Sequence, residues 1–331
     1  MNFRRLAVTA LAVPLALSAQ RSPVVRTALV PSAIAIVQQD AQLPASNMNA
    51  AARLAASPRK GEWVKIPWGD GKSDSLMAWI VKPQNLSASS KAPVVVVVHE
   101  IFGLSTWIRG VADQFAAQGF IAIAPDLASR IRGGPTTNEM PMDSSGIFRN
   151  PGIPMADRNA GIVSVAKYAM SQPNAIQKYG VVGFCWGGQT TWGHAVHGGA
   201  PGFAGGVPYY GAFPYTKADS SSGKRVNVPI ADSLARINVP MMLLNGDRDT
   251  GISAQMPTID SVMKAMHKSY VGTNYKDAVH GFARAQDDPT PTVGRGGNPI
   301  PRDTAAERGN LVAIKDAWPR TIQFFNQLLR K

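Results

Sequence analysis

Short apolar runs alternate with amphipathic stretches along most of the chain. The apolar runs predict strands covered on both faces, at 94–98, 120–124, 179–184, 203–210, 240–244 and 270–275. Stretches with helical periodicity follow or separate them, at 108–118, 157–170, 189–196, 258–266 and 305–329. Strands that alternate with helices predict an α/β fold, with a doubly wound, mostly parallel sheet.

The remaining segments predict the edge of this sheet and its loops. Residues 62–66 and 76–81 flank the turn signal Gly69-Asp70-Gly71-Lys72, which predicts an antiparallel pair at a sheet edge. Residues 212–236 read as a polar loop region, and Pro319 predicts a bend in the last helix. We expect a single domain over 61–331, with Gly- and Pro-rich loop insertions, the first of them lid-like, at 131–155 and 285–303.

The first 60 residues have a different composition. A basic start that includes Arg4 and Arg5 precedes an apolar run over 6–17 and the small residues Ser18 and Ala19. This order predicts a signal peptide over 1–20, and a packed N-terminal helix is the alternative. Residues 21–60 are rich in Ala, Ser, Pro and Gln, which predicts a flexible lead-in. We therefore expect the mature protein to be periplasmic or secreted.

Composition and charge narrow the range of partners. Hydrophobic residues make up 45% of the chain, enough to bury a large core, but no apolar stretch of membrane-spanning length follows the leader. The net charge is +13, and the basic residues are scattered rather than interleaved with aromatic ones. We therefore expect no nucleic-acid partner and no membrane association of the mature form. We expect a small anionic ligand and a monomer or weak dimer.

The strongest chemical signal is Gly183-Phe184-Cys185-Trp186-Gly187-Gly188, between an apolar run and a helical stretch. A strand, a tight turn of small residues around one reactive side chain and a helix together predict a nucleophile elbow. The nucleophile would be Cys185, the sole cysteine, and a buried inert thiol is the alternative. One cysteine excludes an internal disulfide and a cysteine-based metal site. The histidines show no metal-ligand spacing, so we expect neither a metal nor an organic cofactor.

A thiol nucleophile needs a base and a group that orients it. His280 follows the last predicted strand, and Asp249 follows the strand before it. This chain order, nucleophile then acid then histidine, is the order of α/β-hydrolases. Asp247 lies in the same turn as Asp249 and competes for the orienting role, although the position of Asp249 favours it.

The loop at 99–103 follows the predicted strand at 94–98. It therefore brings the carboxylate of Glu100 to the edge of the sheet where Cys185, Asp249 and His280 are expected. A negative charge there opposes a developing oxyanion, so Glu100 either holds the thiol proton or pairs in a buried salt bridge. The backbone N–H groups of Trp186 and Ile101 are the predicted oxyanion donors.

Taken together, these segments resemble the dienelactone hydrolase (carboxymethylenebutenolidase) family of α/β-hydrolases over about residues 60–330. The resemblance rests on motifs at 98–103, 125–127, 183–188, 246–249 and 280–284. It implies that Cys185, Asp249 and His280 form a triad and that Glu100 controls the thiol. It further implies that Arg130 and Arg284 hold a substrate carboxylate. The chain departs from the family pattern at Leu127-Ala128-Ser129-Arg130, where an aromatic residue is missing.

These observations favour a carboxylic ester hydrolase that cleaves small lactones or esters through a thioacyl-enzyme intermediate. One alternative is a generic esterase with an unrelated substrate. Another is a non-catalytic ligand-binding protein on a hydrolase scaffold. A redox-reactive Cys185 is a third hypothesis, weakened because the chain has no second cysteine to resolve an intermediate.

Overall fold

The computed structural model describes most of the chain beyond the N-terminus. The described residues are 42–68, 74–87, 89–136, 147–148, 152–220, 226–286, 288–293 and 297–331. The predicted signal peptide, the first part of the lead-in, the turn at 69–72 and most of the lid-like insertion lie outside them.

Eight strands form the central sheet in the order β1-β2-β4-β3-β5-β6-β9-β10. The strands are β1 Glu62–Pro67, β2 Ser75–Val81, β3 Ala92–Val98, β4 Ile121–Asp126, β5 Ala175–Phe184, β6 Phe203–Tyr209, β9 Met241–Gly246 and β10 Tyr270–Tyr275. Strand β2 pairs antiparallel with both β1 and β4, and the pairs from β4 to β10 are parallel. The predicted mostly parallel sheet with an antiparallel edge is confirmed.

Helices cover both faces of this sheet. The helices are α1 Ala50–Ala55, α2 Thr106–Ala117, α3 Ser129–Arg132, α4 Met155–Met170, α5 Trp186–Val196, α6 Ala231–Ala235, α7 Thr250–Ser253, α8 Met256–Ala265, α9 Phe282–Ala285 and α10 Thr304–Leu329. Val95 and Val97 of β3 pack with α2 and α10, whereas Val94, Val96 and Val98 pack with α4. Because side chains alternate along a strand, the all-valine run is buried on both faces.

The segment 212–236 holds more structure than the predicted polar loop. A small antiparallel pair, β7 Thr216–Asp219 and β8 Val226–Pro229, is followed by the short helix α6. Most of the described residues of β7 are polar or partly exposed, so the hydrophobic pattern carries no signal for them. The predicted closing helix is confirmed as α10, which continues through Pro319.

Residues 42–60 depart from the predicted flexible lead-in, because they pack against the domain. Leu43 and Ala45 are buried, and the indole N–H of Trp107 donates to the Ala45 carbonyl at 2.7 Å. The buried carboxylate of Asp113 accepts hydrogen bonds from Ser57 at 2.6 Å and from Arg59 at 2.8 and 2.9 Å. This segment therefore belongs to the folded body, and it reaches the edge of the sheet where the candidate site lies. Among the described residues, no helix is long and apolar enough to cross a membrane.

Candidate active site

The turn between β5 and α5 has the backbone strain of a nucleophile elbow. Cys185 has φ 56° and ψ −115°, a conformation that non-glycine residues rarely adopt. A Cβ atom on Gly183 would lie 2.0 Å from the Gly187 carbonyl oxygen, and one on Gly187 would lie 2.3 Å from the Val98 oxygen. Only glycine fits at these two positions, and the close approach they allow holds Cys185 at the carboxyl end of β5.

Two other predicted residues meet each other beside this turn. The Nδ1–H of His280 donates to Oδ2 of Asp249 at 2.5 Å. Asp249 follows β9 and His280 follows β10, and these adjacent parallel strands end at the same edge of the sheet. Asp247 lies in the same turn with an exposed side chain, and its N–H bonds to the Tyr275 carbonyl. The carboxylate that contacts the imidazole is thus that of Asp249.

The environment of His280 favours its protonated form. Burial lowers the pKa of the imidazole, but hydrogen bonds to Asp249 and to Cys185, and the charges of both groups, outweigh it and raise the pKa to about 10. The side chain is 46% exposed, on the cavity side, so water screens part of this effect. The charges around His280 therefore favour its protonated form, and the ring is hydrogen-bonded to Asp249 and lines the same cavity as Cys185.

Glu100 and Arg284 form a buried ion pair in the same region. Nη1 of Arg284 lies 3.0 Å from Oε2 of Glu100, whose side chain is 3% exposed. Nη2 of Arg284 donates to Oδ1 of Asn47 at 2.6 Å, and its guanidinium lies over the Phe102 ring at 4.7 Å. Asn47 belongs to the segment that was predicted to be flexible. Arg284 thus neutralises the Glu100 carboxylate, which lines the same cavity as the Cys185 thiol, and links the N-terminal segment to the site.

Tyr210 is a residue of the site that sequence reasoning missed. It has φ 34°, directly follows β6, and its ring packs 5.1 Å from that of His280. Its hydroxyl is buried and has no hydrogen-bond partner among the described residues. Burial and the charges of Glu100 and Cys185 raise its pKa well above the usual value, so the phenol stays protonated. The sequence did offer one signal for Tyr210, because it lies at the carboxyl end of a predicted strand, as the other site residues do.

A cavity of about 1120 Å³ joins these groups. Its walls include Cys185, His280, Asp249, Glu100, Tyr210, Arg284 and both predicted oxyanion residues, Ile101 and Trp186. Because Trp186 is the first residue of α5, its N–H has no carbonyl partner within that helix. Met48 of the N-terminal segment and Phe148 of the lid-like insertion also line the cavity. The structure therefore brings all the predicted site residues except one into one cavity.

The sequence model of the dienelactone hydrolase family matches residues 76–329. This chain belongs to the dienelactone hydrolase family. The confirmed family and fold define it as a carboxylic ester hydrolase of the carboxymethylenebutenolidase type.

A Salmonella typhimurium protein that carries the provisional name carboxymethylenebutenolidase is 30% identical over 284 residues, 82% of this chain and 94% of the relative. A carboxymethylenebutenolidase of a Pseudomonas species is 28% identical over 205 residues, 60% of this chain and 78% of the relative. The crystal structure of a provisionally named dienelactone hydrolase from Klebsiella pneumoniae has a TM-score of 0.60 and 24% identity. It covers 81% of this chain and 99% of the other. This last likeness shows the fold.

Arg130 is the exception among the predicted site residues of this dienelactone hydrolase. Its Nε lies 2.5 Å from Oδ2 of Asp74 and its Nη1 lies 3.7 Å from Oδ2 of Asp157, and its guanidinium lies over the Trp68 ring. It does not line the cavity. The reason is local, because Arg130 lies in the helical turn α3 and its two acidic partners hold it on the outer surface. The structure therefore does not place the resemblance-derived Arg130 at the site.

A different arginine lines the cavity in its stead. Arg158, near the start of α4, is 7% exposed and lies over the Trp186 ring at 4.1 Å from the centroid. In the sequence it occurs as one polar position of an amphipathic helix, so nothing distinguishes it from a solvent-facing residue. Only the packing of α4 against the elbow helix reveals its position.

Proposed function

We propose that this enzyme hydrolyses small lactones or carboxylic esters through a thioacyl intermediate on Cys185. The observation that carries the proposal is that Cys185, Asp249 and His280 line one cavity, where the His280 imidazole is hydrogen-bonded to Asp249 and interacts electrostatically with Cys185. That arrangement fits the roles of nucleophile, base and orienting group in a triad. The strained elbow and the surrounding cavity support it further.

Acylation begins with attack of the Cys185 sulfur, as thiolate, on the carbonyl carbon of the ester. The C–S bond forms as the carbonyl π electrons move to oxygen, and the N–H groups of Trp186 and Ile101 donate to that oxyanion. When the tetrahedral intermediate collapses, the C–O bond to the leaving alcohol breaks. The His280 imidazolium gives its proton to the leaving oxygen. For a lactone the leaving alcohol stays attached to the acyl group, as a hydroxyl at its far end.

Deacylation uses the same groups, but His280 now acts first as a base instead of an acid. Neutral His280 takes a proton from water as the water oxygen attacks the thioester carbonyl. Collapse of the second tetrahedral intermediate expels the Cys185 thiolate beside the regenerated imidazolium and releases the carboxylic acid. Asp249 stays ionised and holds the ring in one orientation. These steps need only water as co-substrate.

Glu100 is proposed to control the thiol. The family resemblance implies that Glu100 controls the thiol, and that Cys185 becomes a thiolate when substrate displaces the carboxylate. In the structure Glu100 is paired with Arg284. An anionic substrate that competes for Arg284 would therefore change the partner of Glu100 at the moment of binding, and the net charge of +13 favours such substrates.

Steady-state hydrolysis of p-nitrophenyl butyrate and of a carboxylate-bearing enol lactone tests the proposal. We expect wild type to turn over at least one of them, and Cys185→Ala and His280→Asn each to lower kcat by about 10³-fold or more. His267→Asn is the matched control, because His267 is exposed and does not line the cavity. Full activity of Cys185→Ala contradicts the proposed nucleophile. A folded wild type that cleaves neither substrate favours the ligand-binding alternative.

A further inference from the structure

Arg158 is a buried cation in the cavity wall, and its hydrogen-bond partners among the described residues are uncharged. Its Nε donates to the Ile153 carbonyl at 2.7 Å and its Nη1 donates to Oε1 of Gln189 at 2.9 Å. Both acceptors are neutral. Across the part of the chain that the structure describes, no carboxylate lies within ion-pair distance of this guanidinium. A guanidinium carries five N–H groups, so donors remain beyond these two bonds in a side chain that lines the cavity.

The other arginines near the site are already paired. Arg284 holds Glu100 and Asn47, and Arg130 holds Asp74 on the outer surface. Arg158 is therefore the one whose charge the described chain does not compensate. Burial lowers its pKa to about 10, so the group remains a cation at neutral pH. A buried charge without a nearby counter-charge is unfavourable, and an incoming anion would remove that penalty.

The sheet order indicates which end of the substrate would meet Arg158. Cys185 directly follows β5, and β6, β9 and β10 lie to one side of it, where His280 would protonate the leaving alcohol. Helix α4, which carries Arg158, packs against β3, β4 and β5 on the other side. The guanidinium lies over Trp186, the residue that follows the nucleophile. With the alcohol towards His280, the acyl group extends towards Arg158.

We propose that Arg158, supported by the Trp186 ring and Gln189, binds a carboxylate at the far end of the substrate's acyl group and so selects anionic acyl esters. The inference rests on the proposed hydrolase function and adds a specificity-determining residue on α4. Arginine presents several N–H donors in a plane, which suits bidentate binding of a carboxylate. The ring beneath it restricts the guanidinium, so less side-chain freedom is lost on binding.

A matched pair of esters isolates this interaction. p-Nitrophenyl hemisuccinate differs from p-nitrophenyl butyrate by a carboxylate in place of the terminal methyl group, and hemiglutarate and valerate form the same pair one methylene longer. We expect Arg158→Met to lower kcat/KM for the better of the two anionic esters by about 30-fold, mainly through KM. We expect kcat/KM for its neutral partner to change by less than about threefold.

Two variants serve as controls. Arg109→Met removes another arginine that lies over tryptophan rings, at 5.4 Å from Trp79, but outside the cavity. It should leave the ratio of anionic to neutral turnover unchanged. Arg130→Met tests the position implied by the family resemblance, and a selective loss of anionic turnover in that variant would overturn the inference. An equal loss on both esters in Arg158→Met would also overturn it, because that indicates a structural role.

A measurement on the wild type guards against a poorly folded variant. Succinate should inhibit butyrate hydrolysis with a Ki at least about tenfold lower than that of neutral succinamide. Equal Ki values would overturn the inference. Failure of the underlying function is recognised separately, because butyrate turnover would then be the same in wild type and in Cys185→Ala.

Discussion

The geometry at Cys185 and His280 depends on neighbours that form no bond to substrate. Gly183 and Gly187 allow the backbone contacts that hold the thiol on a strained turn, and Asp249 fixes the imidazole. The motif residues were predictable because each follows an apolar run, and the parallel sheet brings those ends together. Arg158 was not predictable, because its role depends on how α4 packs.

The pH dependence of turnover tests the assignment of Asp249. The folded-state pKa of His280 is raised from 6.5 to about 10, so the imidazolium and its contribution to stability are fully present below about pH 6.5 and are lost as pH rises through about 10. We expect kcat/KM for an ester to fall over that same upper range, because the leaving oxygen then lacks its proton donor. In Asp249→Asn the descending limb should move to lower pH.

The matched control is Asp247→Asn, in the same turn but with an exposed side chain away from the imidazole. Its descending limb should coincide with that of wild type. If the limb moves in Asp247→Asn and stays in Asp249→Asn, the assignment of the orienting carboxylate is contradicted.

At the scale of elements, the sequence predicted nearly the whole central sheet and the main helices. These elements are the ones whose burial dictates a hydrophobic pattern, such as β3 and α10. The sequence did not predict the β7–β8 pair or the packing of residues 42–60. The first has few buried residues, and the second is short, Ala-rich and held largely by polar contacts to distant residues.

The hydrogen bonds from residues 57 and 59 to Asp113 give a prediction about how the N-terminal segment is held against helix α2. Asp113 on α2 accepts from Ser57 and Arg59, and it is 2% exposed. We expect Asp113→Ala to lower the free energy of unfolding by about 2–3 kcal/mol, because three hydrogen bonds from Ser57 and Arg59 lose their buried acceptor. Chemical denaturation monitored by tryptophan fluorescence measures this change.

The control for that prediction is Asp74→Ala, which removes the exposed partner of Arg130. Exposed ion pairs contribute little, so the expected change is within about 0.5 kcal/mol. Equal stabilities of the Asp113→Ala variant and wild type would show that residues 42–60 are not held as described.

At the scale of the molecule, one α/β-hydrolase body carries a basic charge balance and an N-terminal extension. Residues 1–41 lie outside the described structure, so the predicted leader stays a prediction from sequence. The family assignment agrees with the motif resemblance, and the mostly parallel sheet agrees with what the chain's periodicity predicts. The insertion at 131–155 could not be placed from sequence, because its composition specifies a loop but no partner.

Cell fractionation tests the predicted export. We expect the full chain, expressed in a bacterial host, to yield a periplasmic protein without residues 1–20, as measured by intact mass. The variant Leu11→Arg interrupts the apolar run and should leave the uncleaved chain in the cytoplasm. A full-length cytoplasmic wild type would contradict the prediction.

The most direct test of the central claim is to trap the acyl enzyme. Wild type is mixed with p-nitrophenyl butyrate and quenched in acid on the millisecond timescale, and the protein is mapped by peptide mass spectrometry. We predict a butyryl group on the peptide that contains Cys185, removable by neutral hydroxylamine as a thioester is, and absent from Cys185→Ala. Rapid turnover of the ester with no acyl group on Cys185 at any time would contradict the account.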